Sequence, residues 1–394
     1  MGFMFSKFKK TAVLSALMAA SFSAGLSLQP VMAETGGFRV FLQVFDLLKG
    51  EYVDEKLDDQ KLVQGAIQGM LSSLEDPYTR YISKEEFKQM NEERSGSFSG
   101  IGIQIGMRDK KLTVIAPIED TPAWKAGLKT GEIIQSIDDK STAEMSVNDA
   151  VDLIRGKTGT PVKLSVYNPE TDKSRDVTIV RGNIEHQVVK AKMLKHQIGY
   201  LRLTSFMQGN APEKVAEAIK ELEKNGMKSL ILDLRSNPGG LLPNAVKIGS
   251  LFTTKGPIVR VVDRDGKEEV LQPSGKLSLD IKKPMVVLID GGSASASEIL
   301  AGALKDTQRA TLIGTRTFGK GLVQTVHNLY DGSGVAITTN KYLTTNGTDI
   351  NKKGIEPDIE VKIPKELLET PYSEEQDPQL QRAIQELSSP LASR

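Results

Sequence analysis

Two stretches of this chain carry residues whose types and spacing could do covalent chemistry. In Ile289-Asp290-Gly291-Gly292-Ser293-Ala294-Ser295-Ala296-Ser297-Glu298, an apolar strand turns through two glycines into a helix whose first turn is serine and alanine. A serine at such a junction sits at the positive end of the helix dipole. That position favours a developing oxyanion, and the backbone N–H of the following residue can donate to it. Ser295-x-x-Glu298 is equally a capping box, so the local sequence leaves nucleophile and cap both open for Ser295.

A nucleophilic serine needs a base. Of the three histidines, His186 and His196 fall in a polar stretch and His327 in a strand-like run. None stands at an obvious strand-end loop, so the sequence selects no Ser/His pair. The alternative is Lys320, in Thr315-Arg316-Thr317-Phe318-Gly319-Lys320-Gly321-Leu322-Val323-Gln324, 25 residues after Ser295. Glycines on both sides allow a tightly turned backbone that pushes the amine into an enclosed site. A free lysine titrates near ~10.4, so a neutral amine at pH 7 requires an environment worth roughly 4.6 kcal/mol. Burial supplies shifts of this size. Gln324 suits such an amine, because a neutral amide accepts its hydrogen bond without recharging it. Alone, Lys320 reads as a solvated lysine in a glycine-rich loop. A third block, Asp233-Leu234-Arg235-Ser236-Asn237-Pro238-Gly239-Gly240, empties a strand into a turn with paired glycines. Its backbone N–H groups could form an oxyanion hole, or it could be an ordinary Asn-Pro-Gly turn.

The elements that must position these residues divide the 394-residue chain into parts. Residues 1–33 have a lysine-bearing start, an apolar run and Val31-Met32-Ala33, and read as a secretory signal cleaved after Ala33. An uncleaved anchor is the alternative. Residues 34–95 are expected to be helical, with apolar stripes Phe38/Phe41/Phe45/Leu48 and Leu62/Ala66/Met70. A lid or dimerisation element fits better than a membrane-surface helix. Residues 96–183 show many short strands and one helix, Ser146 to Arg155, and predict a small, partly open β-barrel. Residues 184–364 alternate strand and helix, the pattern of an α/β domain. Residues 365–394 hold one helix from Asp377-Pro378 to about Leu387.

Composition narrows the function classes. Lys+Arg is 51 against 50 Asp+Glu, so nothing electrostatic points to nucleic acid. Cysteine is absent, which removes disulfides, thiolate catalysis and Cys-ligated metals. No metal site and no cofactor are expected.

With these blocks in hand, the sequence resembles the carboxyl-terminal processing peptidases, the tail-specific serine proteases with a Ser-Lys active site. The resemblance rests on Asp76-Pro77-Tyr78-Thr79-Arg80-Tyr81, a PDZ-like segment, Asn237-Pro238-Gly239-Gly240, and the serine and lysine blocks at their 25-residue separation. It implies a ClpP/crotonase-like α/β protease core with an inserted PDZ-like domain. Ser295 would be the nucleophile, Lys320 the general base and Gln324 its orienting partner. The N–H groups of Ala296 and of Gly239 and Gly240 would line the oxyanion hole. Gly100, Ile101, Gly102 and Ile103 would form the PDZ loop that binds a substrate's terminal carboxylate, with the next strand pairing with the tail. Read without the family, they are a glycine-containing strand start.

Arg155, at the end of the PDZ helix, could report tail occupancy to the core, or be a solvated arginine suited to the helix C-terminus. With the signal segment pointing to export, to the periplasm or another extracytoplasmic compartment and with possible membrane association, the resemblance implies an endopeptidase acting on proteins with free, apolar C-termini, with a possible adaptor and a homodimer built from residues 38–75 and 377–387. A crotonase-like acyl-CoA hydratase and a non-catalytic PDZ scaffold are the competing readings. Export argues against the first, and the joint presence of Ser295, Lys320 and Gln324 against the second.

Overall fold

The computed structural model describes residues 36–388 except 55, 119, 170, 186, 275–281 and 369–372, so the signal segment and His186 lie outside the described residues. The chain forms two compact units, residues 1–73 and 74–394. In the first, α1 (Gly36–Glu51) and α2 (Asp59–Ser72) are described. Asp58 caps α2 by accepting from the Gln60 and Lys61 amides. The Phe38, Phe41 and Phe45 rings run along α1 with centroids 5.8 and 6.5 Å apart. No helix among the described residues is long and apolar enough to cross a membrane.

The second unit begins with β1 (Arg80–Ile82) and α3 (Lys84–Ser95). The expected all-helical stretch is broken at β1, because residues 80–82 pair antiparallel with 334–336, far away in sequence. Strand β2 (Ser97–Gly100) leads into the small domain, and β9 (Gly182–Glu185) leads out beside it, antiparallel. Between them lie β3 (Ile103–Arg108), β4 (Lys111–Pro117), α4 (Pro122–Lys125), β5 (Ile133–Ile137), β6 (Lys140–Ser141), α5 (Val147–Ile154), β7 (Pro161–Asn168) and β8 (Lys173–Val180). Its sheet runs β3-β4-β5-β7-β8, with β6 on β5. Alternating inward residues (Val162, Leu164 and Val166 on β7) meet Ala150 and Ile154 of α5 in one core. Ser146 starts α5 with a capping box. Buried Arg181 ends it, donating to the Leu153 and Ile154 carbonyls at 2.8 Å.

The α/β part contains β10 (Val189–Met193), β11 (Ile198–Leu203), α6 (Ala211–Lys224), β12 (Ser229–Asp233), α7 (Leu242–Phe252), β13 (Val259–Asp263), β14 (Glu268–Leu271), β15 (Met285–Ile289), α8 (Ala296–Asp306), β16 (Thr311–Gly314), β17 (Leu322–Asn328), β18 (Gly334–Leu343), β19 (Ile359–Glu360) and α9 (Pro378–Ser388). The main sheet has the order β10-β11-β12-β15-β16-β19, parallel from β11 onward. Every residue of β12 and β15 is buried, as their continuous apolar runs predict for a sheet covered on both faces. Helices α6, α7 and α8 cover one face. Leu380 and Ala383 of α9 cover the other, packed with Ile231, Val286, Leu288 and Ile313. A second sheet, β1-β18-β13-β14 with β17 on β18, stands beside it.

Candidate active site

Three neighbouring parallel strands deliver the three chemical blocks. Strand β12 ends at Asp233 and opens into the Asn-Pro-Gly-Gly turn. Strand β15 ends at Ile289 and opens into the serine block, and β16 ends at Gly314 just before the lysine block. Because they are parallel and adjacent, their carboxyl ends meet on one edge of the sheet, where open α/β sheets form crevices. A cleft of about 830 Å³ there is lined by Ser295, Ala296, Lys320, Gln324, Gly239 and Gly240, among others.

Ser295 is the N-cap of α8 with φ 54 and ψ −115. That conformation is strained for a residue with a side chain, and such strain persists only where surroundings enforce it. Here the enforcement is visible. Ser293 Oγ donates to Leu234 O at 2.8 Å and Ser297 Oγ donates to Asn237 O at 2.9 Å. Asp290 accepts from Ser236 N at 2.8 Å and from Gly292 N at 2.9 Å. The two turns are thus stitched together by the serines and the aspartate that flank Ser295.

Glu298 goes further than the capping box foreseen for it. It is fully buried. One carboxylate oxygen accepts from Ser295 N at 2.8 Å and Lys320 N at 2.9 Å. The other accepts from Thr317 Oγ1 at 2.6 Å and Gly319 N at 2.7 Å. A single buried charge therefore fixes the backbone of both candidate catalytic residues. Tyr342 closes the group by donating to Ser295 O at 3.2 Å. Its hydroxyl is held well above its ordinary pKa by burial and by the Glu298 charge.

The Lys320 amine is half-buried and stands 4.7 Å from the centroid of the Tyr78 ring. Among the described residues no hydrogen bond joins it to Ser295. Burial pushes its pKa below the ordinary lysine value. Asp76 and Glu298 oppose that shift, and Arg80 adds to it. Gln324 shares the cleft but does not hold Lys320: its Nε2 donates to Thr338 Oγ1 at 3.2 Å. Thr338 N donates to Thr79 Oγ1, which donates to Asp76. Asp76, Tyr78 and Thr79, part of a motif that carries the family resemblance but to which the sequence assigns no role, therefore stand beside the site.

Of the two glycine amides expected to face an oxyanion, that of Gly239 is occupied, donating to Asn237 Oδ1 at 2.9 Å. Gly239 serves a different need. A Cβ there would lie 2.6 Å from Ala294 O and 2.8 Å from Ala296 N, at φ +98. Only glycine lets the two turns approach this closely. Gly240 and Ala296 remain as the oxyanion candidates.

In the small domain, Gly100, Ile101, Gly102 and Ile103 line a groove of about 100 Å³ with Val151 and Arg155. Gly102 has φ +79, and a Cβ would meet Thr121 Cβ at 2.3 Å. Arg155 is not a solvated arginine: its guanidinium pairs with Glu92 of α3 at 2.8 Å and lies 5.1 Å from the Phe98 ring. His327 also lines the cleft. Among the described residues no cluster of His, Asp and Glu could hold a metal ion.

Residues 197–361 match the model of peptidase family S41, residues 113–168 a PDZ domain, and residues 11–86 the N-terminal domain of the activating protease CtpB. The chain is 43% identical over 323 residues to the carboxy-terminal processing protease CtpA of Bacillus subtilis, covering 82% of this chain and 68% of that one. It is 43% identical over 329 residues to a carboxy-terminal-processing protease of Bartonella bacilliformis, covering 82% and 75%. The fold is shared with an S41 protease structure from Bacteroides fragilis at a TM-score of 0.51 and 16% identity, covering 85% of this chain and 91% of that one. With 43% identity over 82% of its length to such a protease, the chain belongs to peptidase family S41, the carboxy-terminal processing serine proteases.

Proposed function

We propose that this protease hydrolyses peptide bonds through an acyl-enzyme on Ser295, with Lys320 as the base, and selects its substrates by their free C-termini in the PDZ groove. The reading rests above all on one observation. A strained N-cap serine and an amine made less basic by burial line one cleft, with their backbones tied to the same carboxylate. The neutral amine takes the Ser295 Oγ proton as that oxygen attacks the substrate carbonyl carbon. The Gly240 and Ala296 amides meet the charge that gathers on the carbonyl oxygen. Collapse breaks the C–N bond, and the Lys320 ammonium gives its proton to the leaving amine. Water, deprotonated by the same amine, then frees the acyl group.

Lys320 must leave the Tyr78 ring to do this, and Gln324 must turn from Thr338 to orient it. Tail binding supplies a trigger at Arg155. Helix α3, which holds Arg155 through Glu92, also walls the cleft with Phe87, Met90 and Arg94. A tail carboxylate arriving beside Arg155 competes with Glu92 and loosens that wall.

The parallel sheet with helices on its faces agrees with a ClpP/crotonase-like core, and the small sheet with a PDZ β-barrel. Exposed Phe38 and Phe41 of α1 suit a homodimer contact. Residues 1–33 suit export to the periplasm; protein substrates and a possible adaptor would be met there.

The test uses an unfolded reporter protein with an apolar tail. Wild type should cleave it, while Ser295→Ala and Lys320→Ala should not, and amidation of the tail should raise KM. Cleavage by Ser295→Ala would end the acyl-enzyme reading. An Arg155→Ala enzyme working at the wild-type rate would end the trigger.

A further inference from the structure

Arg235 lies two residues before Asn237, on the backbone that leads from β12 into the Gly239-Gly240 turn, and its side chain is buried. Two sides hold the guanidinium. Its Nε donates to Asp233 Oδ1 at 3.0 Å and its Nη2 to Asp233 Oδ2 at 2.7 Å, back to the last residue of β12. Its Nη1 donates to Asp377 at 3.1 and 2.8 Å and to Gln379 Oε1 at 3.0 Å, across 142 and 144 residues of chain. Asp377 also caps α9, accepting from Gln379 N at 3.1 Å and Leu380 N at 3.0 Å. Gln379 Nε2 donates to Val361 O at 2.8 Å, just beyond β19.

The backbone immediately downstream is set finely. Ser236 has φ 55. Asn237 Nδ2 donates to Leu203 O at 2.7 Å. A buried guanidinium held from both sides transmits position to such a turn, because losing either partner leaves a buried N–H of a charged group without its acceptor.

We propose that Asp377 and Gln379 are positioning residues of the active site: through Arg235 they hold the Gly239-Gly240 turn where its amide meets the oxyanion. The helix Pro378–Ser388 is thereby a working part of the catalytic edge and more than a cover for the sheet. This rests on the oxyanion reading given above. It assigns a catalytic consequence to a segment on the face of the sheet opposite α6, α7 and α8, at the end of the described chain. The expected signature is a loss of kcat with KM unchanged, because the turn meets the transition state and the PDZ groove meets the tail.

The experiment measures kcat, KM and melting temperature of the full-length enzyme on the tailed reporter. Asp377→Ala should lower kcat about 10- to 100-fold, a fraction of what loss of a whole oxyanion donor costs. Gln379→Met, which removes one hydrogen bond at similar volume, should lower kcat about 3- to 10-fold. Asp377→Glu should restore part of the loss. Leu380→Ala weakens α9 docking without touching Arg235, and should lower the melting temperature while leaving kcat within about twofold. If Gln379→Met and Asp377→Ala both keep kcat within twofold, or if Leu380→Ala loses kcat as they do, the positioning role is wrong. Ser295→Ala run alongside separates the two failures: activity there would sink the acyl-enzyme reading itself, whereas an inactive Ser295→Ala beside fully active Asp377 and Gln379 variants would sink only this inference.

Discussion

Replacing Glu298 with glutamine probes the construction of the site most directly. The side chain keeps its shape and loses its charge. In the native protein the carboxylate accepts four hydrogen bonds, from Ser295 N, Lys320 N, Thr317 Oγ1 and Gly319 N. A glutamine offers one oxygen and one NH₂ group. Its least costly orientation keeps the oxygen toward the Ser295 and Lys320 amides and turns the NH₂ toward Thr317 and Gly319. The Thr317 hydroxyl already accepts from Ile355 N at 2.7 Å, and the Gly319 amide meets a donor instead of an acceptor. One backbone N–H is then left unpaired, and the retained bonds fall from charged to neutral strength. Each charge-assisted bond is worth about 1.5–3 kcal/mol net. Removing a buried charge returns part of the loss, so roughly 2–4 kcal/mol remains.

If that energy sustains the relative placement of Ser295 and Lys320, kcat should fall roughly 30- to 1000-fold at about 1.4 kcal/mol per tenfold, with KM little changed. Initial rates on the tailed reporter, with far-ultraviolet circular dichroism to confirm the fold, provide the measurement. Combining Glu298→Gln with Lys320→Met should add little to either alone, because residues acting as one unit are not additive. A Glu298→Gln enzyme with kcat within about threefold of wild type, or a double mutant whose losses multiply, would refute the idea that this carboxylate joins the two.

Other outcomes follow from single contacts. Burial lowers the Lys320 pKa, so between its folded and unfolded values the unfolded chain binds more protons and stability rises with pH. Lys320→Met should therefore raise the melting temperature near neutrality, with the gain shrinking as pH approaches the unfolded value of 10.5; a gain that grew with pH would contradict this. The Tyr78 ring favours the charged amine by about 0.5–2 kcal/mol, so Tyr78→Leu should move the rise of the pH–rate profile about 0.4–1.5 pH units lower, and Tyr78→Phe should leave it in place. Gly239→Ala should abolish cleavage, while Gly291→Ala, whose Cβ meets nothing within 4 Å, should work within about twofold of wild type. Gly102→Ala should raise KM for tailed proteins about tenfold or more, while small ester substrates that bypass the groove are still hydrolysed, because the Cβ collides with Thr121.

The strand ends that carry the serine and lysine blocks are legible in the sequence because their signal is local, whereas the roles of Ser295 and Lys320 rest on the family resemblance. An apolar strand, glycines and a helix start mark a strand end, and parallel neighbours bring strand ends together. Features that depend on distant partners are not legible in this way. Residues 80–82 carry no strand signal of their own strength, and β1 exists because Gly334–Ala336 offers an edge. Glu298 satisfies a local rule as a cap, which hides the bonds it makes to Thr317 and Gly319, 19 and 21 residues on. Gln324 follows a break in register between Val323 and Gln324 on β17, and such irregularities re-aim side chains. Simple alternation therefore cannot tell that its amide meets Thr338. Asn237 reads as a turn former, and its side chain takes the amide of Gly239 that the motif seemed to offer a substrate.

The same contacts decide what activation requires. The backbone amides of Ser295 and Lys320 are bound to one buried carboxylate. Gly319 and Gly321 are hemmed in as well, since a Cβ on either would lie 2.9 or 2.8 Å from backbone of residues 351–354. A loop fixed at that many points does not refold to bring the Lys320 amine to the Ser295 hydroxyl. What remains free is the lysine side chain, four carbons long and resting on the Tyr78 ring at 4.7 Å. Moving it exchanges a cation–π contact for a hydrogen bond to a hydroxyl, terms of similar size at about 1 kcal/mol each. With so small a difference, modest changes at the wall of the cleft suffice to shift the balance. Helix α3, whose Glu92 pairs with Arg155 and whose Phe87 and Met90 line the cleft, is the element through which the trigger proposed above would act.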